Sequence, residues 1–154
     1  MEVSIVPTEY VDQCWDRVKV HLEKAVEYTY GRFTLEDIYI SVKEDNHTLW
    51  VAFDDEGVKG AVVTNFTSYP RKKFVHLAFI GGVEGHNWKE PMLEILTRWA
   101  YDNNCNGLES VGRPGWAKIF KNYGYKLVGY AYEIPAADSG IGERNGKQQQ
   151  QQTK

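Results

Sequence analysis

The chain changes its hydrophobic period several times, and each change marks an element. A short apolar run over residues 3–6 opens it as a strand, closed by Pro7. With Thr8 as cap, apolar positions then recur at Val11, Cys14, Trp15, Val18, Leu22, Ala25 and Val26. Spacing of three and four lays one stripe along a helix of about 18 residues, with His21 at its boundary. Tyr28-Thr29-Tyr30-Gly31 breaks this helix, and Thr34 followed by Asp37 is a capping-box pattern that predicts a second helix over 35–42. The period then falls to two. Residues 48–54 (TLWVAFD) and 58–69 flank Asp55-Glu56-Gly57, and Tyr69-Pro70-Arg71-Lys72 turns into a further run at 74–80. Short polar connections between such runs predict three antiparallel strands.

The stretch from Lys73 to Gly124 breaks that pattern. It reads as an apolar run (KFVHLAFIGG), a glycine-bearing loop (VEGHN), a helix with Met92, Leu93, Leu96, Trp99 and Ala100 on one face, and a short run over 108–111. Run, loop, helix, run is the pattern of two parallel strands joined by a crossover helix. The helix start falls between Asn87 and Glu90, where an Asn87/Glu90 capping box competes with Pro91 as first helical residue. Gly112-Arg113-Pro114-Gly115 leads into a helix over 116–123, Gly124 suits a left-handed exit, and residues 125–134 (YKLVGYAYEI) read as the last strand. The fold class is therefore α/β (α+β), a mixed sheet with antiparallel N-terminal strands and a parallel pair around a crossover helix. At one end of that pair, the loop and the free amides opening the helix offer a place for an anion.

Composition adds limits. With 154 residues, 42% hydrophobic and 25% charged, the chain fits one soluble domain, assigned to 1–134. Residues 135–154 hold one large aliphatic residue and five consecutive glutamines from Gln148, which predicts a disordered tail. A net charge of −3 calls for no nucleic acid, and Arg71-Lys72-Lys73 reads as a solvated hairpin tip. Cys14 and Cys105 are too few for a disulfide framework, and no apolar stretch approaches the roughly 20 residues that span a bilayer. A reducing, cytoplasmic setting without a membrane follows. The four histidines and two cysteines show no metal-ligand spacing, so no metal site is expected.

The order of elements, with the stretch GLESVGRPGWAKIFKNYGYKLVGY, resembles the GNAT superfamily of acyl-CoA N-acyltransferases. The resemblance spans roughly residues 1–134 and is one of pattern; the helix running into Tyr123-Gly124-Tyr125 is its one specific stretch. Glu109, Arg113, Gly115 and Trp116 look most like short GNAT-like proteins of tailed bacteriophages, which leaves host cytoplasm or a virion as the setting. The resemblance implies acetyl-CoA as cofactor and an amine, small-molecule or protein, as acceptor. It also implies two splayed strands holding the pantetheine arm and a loop holding the diphosphate, here Ile80, Gly81, Gly82, Gly85, His86 and Asn87. Against the family signature Arg/Gln-x-x-Gly-x-Gly/Ala, only Gly85 aligns, and Glu84 adds a negative charge.

An N-acyltransferase must take a proton from the attacking ammonium and return one to the thiolate. The family's proton-donating Tyr falls on Phe120, four residues before Gly124. Glu109 and His76, on the two strands beside the crossover, are the candidate bases. The plainer readings stay open: Glu109 paired with Arg113 four residues on, His76 as a structural histidine, His86 as an exposed loop residue. Trp15, Trp50 and Trp99 lie on apolar stripes and belong in the core. Trp88 and Trp116, each opening a helix, would line a cleft or meet a partner chain or second copy. Two functions remain: an acetyl-CoA-dependent N-acetyltransferase, or a catalytically inactive GNAT-fold protein with a binding or virion-associated structural role.

Overall fold

The computed structural model describes residues 1–111 and 116–137, with only the backbone of Ala117. Its elements follow the order read from the sequence: β1 (Glu2–Val6), α1 (Val11–Glu27), α2 (Leu35–Lys43), β2 (Thr48–Asp54), β3 (Gly57–Ser68), β4 (Lys73–Gly82), α3 (Lys89–Asp102), β5 (Gly107–Glu109) and α4 (Ala117–Phe120). The sheet runs β1-β2-β3-β4-β5, antiparallel through β4 and parallel between β4 and β5. The parallel step is the one with a helix in its connection, as chain geometry requires. The Thr34/Asp37 capping box forms on both sides, Thr34 Oγ1 accepting from the Asp37 amide at 3.1 Å and Asp37 from the Thr34 amide at 2.9 Å.

Helices cover both faces. On one, α1 and α2 bury Val18, Leu22, Ile38 and Val42 against Leu49, Val51, Val63 and Phe79. On the other, α3 buries Met92, Leu93, Leu96 and Ala100 against Trp50, Val62, Val75, Leu77 and Ile80. The face assignment changes within β4 because the β3–β4 register skips Ala78, a bulge. Leu77 and Ile80 consequently share the α3 face, whereas strict alternation would separate them. Gly81 lets α1 approach: a Cβ there would strike the backbone of His21. Gly60 does the same for the Trp88 indole.

Several boundaries differ from the sequence reading. Helix α3 starts at Lys89, inside the expected window, but no side chain caps it and Pro91 stands third rather than first. Trp88 displaces the capping box because its indole is drawn into the core, 1% exposed. Strand β5 ends at Glu109 rather than 111, and the expected helix over 116–123 is the four-residue α4 followed by a 3-10 turn, Lys121–Tyr123. The chain divides after that turn into two units, Met1–Tyr123 and Gly124–Lys154. In the second, residues 125–134 form no strand, which corrects the expected last one. Strand propensity is realised only on a surface that packs and pairs, and here Val128 and Tyr132 are 83% and 84% exposed. The Arg113 pairing and the Gln-rich run lie outside the described residues, as does most of the expected tail.

Candidate active site

The parallel pair is short. Phe74, Val75 and His76 of β4 stand opposite Gly107, Leu108 and Glu109 of β5, and there the pairing stops. Strand β4 continues to Gly82, while the next residue after β5 reaches it only by a side chain, the Ser110 hydroxyl donating to the Leu77 carbonyl at 3.2 Å. A fork therefore opens between the strands just past His76 and Glu109.

Those two residues share the sheet face that carries α1 and α2, since Val75, Leu77 and Leu108 take the other. His76 Nδ1 lies 3.4 Å from Glu109 Oε2, and the Tyr69 hydroxyl donates to the same oxygen at 3.1 Å. This bond to a carboxylate, with burial and the carboxylate's charge, raises the Tyr69 hydroxyl above the ordinary tyrosine range. His76 and Glu109 keep 26% and 25% of their side-chain surface open, so the pair is reachable. Asn65 continues the row on β3, directly opposite His76. Nearby, His47 shares a 2.5 Å hydrogen bond with Ser41, and burial and the charge of His76 push its pKa down.

At the open end of the fork, the chain leaves β4 through Gly82, turns at Glu84 in the left-handed region (φ 52°), and makes a 3-10 turn over Gly85–Asn87. Ile80, Gly81, Gly82 and Gly85 line a cleft of about 80 Å³ with Trp88, Lys89 and Trp116. His86 and Asn87 are exposed on the turn and do not line it. The amides of Asn87 and Trp88 bond back to Glu84 and Gly85, at 2.9 and 3.1 Å. Pro91 has no amide to offer. The Lys89 ammonium sits 4.4 Å from the centre of the Trp116 ring and beside Gly85. Glu84 is held by Lys59 at 2.7 Å, so its charge is matched.

Residue types and charge at this cleft fit a phosphate-bearing cofactor: glycine backbone without side chains, an ammonium, and a helix beginning at Lys89. Its width does not yet fit one, because Trp116 packs edge-on to Trp88, ring centres 6.4 Å apart, and closes the cleft. Both indoles line the cleft, and both are buried, 1% for Trp88 and 6% for Trp116, so neither presents itself to a partner chain. Phe120 stacks obliquely on Trp116 at 5.6 Å. The Tyr123 hydroxyl donates to the Glu90 carbonyl at 3.2 Å and Asn122 to the Glu90 carboxylate at 3.1 Å, tying the end of this segment to the start of α3.

The sequence thus placed Glu109 and His76 together correctly, and four of its six loop residues around one cleft. It missed Asn65, Tyr69, Lys59 and Lys89. The bulge at Lys59, which the β2–β3 register skips, left no periodic signal to find it by.

No family model matches this chain, and no curated protein matches it in sequence. Solved structures do match its fold. A probable acetyltransferase superposes with a TM-score of 0.66 at 15% identity, covering 90% of this chain and 100% of that one. A predicted acetyltransferase of Clostridium acetobutylicum, solved with acetyl-CoA, gives 0.62 at 11% over 87% and 95% of the two chains. The ribosomal-protein-alanine N-acetyltransferase of Brucella melitensis gives 0.62 at 11% over 88% and 100%. The chain has the mixed α/β fold of GNAT-type acetyltransferases.

Proposed function

We propose that this protein is an acetyltransferase that moves the acetyl group of acetyl-CoA to an amine. The observation that carries the reading is the fork. Two parallel strands part immediately beyond a histidine–carboxylate pair, and a glycine-lined cleft with a lysine stands at the open end. The similar fold of a protein solved with acetyl-CoA supports the choice of cofactor.

Each residue then has work to do. Gly81, Gly82, Gly85 and Lys89 would hold the phosphates, with the Trp116 ring moving aside to widen the cleft. Acetyl-CoA supplies an acetyl group already activated as a thioester. An amine arrives protonated at neutral pH and becomes a nucleophile only after losing a proton. His76 takes that proton at its ring, oriented by Glu109, or Glu109 takes it directly; Tyr69 steadies the carboxylate in both cases. Tyr123 spends its hydroxyl on Glu90, and Phe120 has no proton to give, so the leaving thiolate takes its proton from solvent.

Calorimetric titration with acetyl-CoA tests the reading. Binding tighter than about 100 μM, lost in Gly85→Trp, is the expected result. Absence of heat at millimolar ligand would leave the fold without the reaction.

A further inference from the structure

One row of side chains crosses three strands on the face that carries α1 and α2. Asn65 on β3 stands opposite His76 on β4, which stands opposite Glu109 on β5. At its two ends lie buried oxygens, Asn65 Oδ1 and Glu109 Oε1, that have no hydrogen-bond partner. A buried acceptor left undonated is destabilising by about 1–3 kcal/mol, so two in one row mark a place built to receive donors. The other carboxylate oxygen is already taken by Tyr69 and His76.

We propose that Asn65, His76 and Glu109 form a primary-ammonium subsite, Asn65 Oδ1 and Glu109 Oε1 each accepting one N–H of the incoming amine. The inference rests on the acetyltransferase reading and deepens it by naming the acceptor group and a residue, Asn65, that selects it. Neighbouring strands lie about 4.8 Å apart, so the two oxygens approach the ring of His76 from either side. The open flanks of His76 and Glu109 give the way in. Terminal torsions of Asn and Glu side chains are broad and shallow, so both oxygens turn toward an arriving donor at small cost. The charge favours a cation over a neutral donor, because one end of the row is a carboxylate. Tyr69 and Phe74, packed edge-on with ring centres 6.0 Å apart beside Glu109, add aromatic surface that suits both the cation and an aromatic body. The ligand class is a primary amine on an aromatic or apolar carrier.

The test uses the full chain without acetyl-CoA. Ring resonances of His76, assigned with His76→Gln, are followed by NMR during titration with 2-phenylethylamine and, separately, with 2-phenylethanol. A saturable shift is expected for the amine, with the alcohol at least tenfold weaker. Asn65→Asp should bind the amine at least as tightly as the parent. Asn65→Leu should bind it at least tenfold more weakly with an unchanged or higher Tm, since an apolar isostere removes an undonated oxygen. The proposal is overturned by an equal response to the alcohol, which marks a water site, or by no saturable shift below about 50 mM. Unchanged amine binding in Asn65→Leu overturns it too, as does a fall in its Tm of more than about 5 °C, which would make Asn65 structural. Amine binding without any acetyl transfer would spare this inference and sink the acetyltransferase reading. Transfer by Asn65→Leu at parental kcat and KM would do the reverse.

Discussion

Glu109 joins two segments that the sequence keeps apart, the turn at Tyr69 and the strand at His76, through a single carboxylate oxygen. If this carboxylate orients or performs the proton transfer, Glu109→Gln should lower kcat by about 10²–10⁴-fold, with acetyl-CoA binding by calorimetry unchanged. Equal loss of both would mean a structural ion pair. His47 offers a second, pH-dependent test. Its folded pKa is depressed by burial and by His76, so the unfolded chain binds the proton more readily. The stability it contributes is full above the unfolded value of about 6.5 and is lost as pH falls toward the folded one. The Tm of the parent should therefore drop more between pH 7.5 and 5 than that of His47→Gln, by thermal melts at each pH. At this scale Glu109 and His76 were legible because strand parity and the crossover pattern point to them. Asn65, Tyr69, Lys59 and Lys89 were not. Their roles arise from cross-strand neighbours, a bulge and a ring contact, none of which is encoded locally.

Among the elements, the junction from β4 to α3 decides what the cleft can accept. Its geometry depends on Trp88, whose indole N–H donates to the Val83 carbonyl at 2.8 Å while the ring packs over Gly60. A side chain at position 60 would meet that buried ring and could not displace it freely. Gly60→Ala should therefore destabilise the fold by about 1–3 kcal/mol, measured by urea denaturation, and weaken acetyl-CoA binding through the moved indole. The element order, both cap residues of α2 and the crossover were readable from period and capping pattern. The helix start at Lys89 was readable only as a window. Three features competed for it, and burial of Trp88, a tertiary event, settled the contest.

For the molecule as a whole, ligand binding and stability are one equilibrium. Acetyl-CoA at about a hundred times its Kd should stabilise the folded state by about 2.7 kcal/mol and raise Tm accordingly. A thermal shift that grows with acetyl-CoA and vanishes in Gly85→Trp is the expected result; an equal shift with both chains would place binding elsewhere. Among the described residues no helix is long and apolar enough to cross a membrane. The fold itself is shared with acetyltransferase structures at 11–15% identity. This is possible because layer order and hydrophobic period tolerate almost any residue of the right class. Those same features let the sequence alone determine the mixed sheet, its crossover and the faces buried by each helix, since period and turn chemistry act over a few neighbouring residues. Only the tertiary structure decided that β4 and β5 part at His76 and Glu109, that Trp116 closes the cleft, and that residues 125–134 form no strand. Strand pairing and side-chain packing join segments distant along the chain, and no local pattern carries that information.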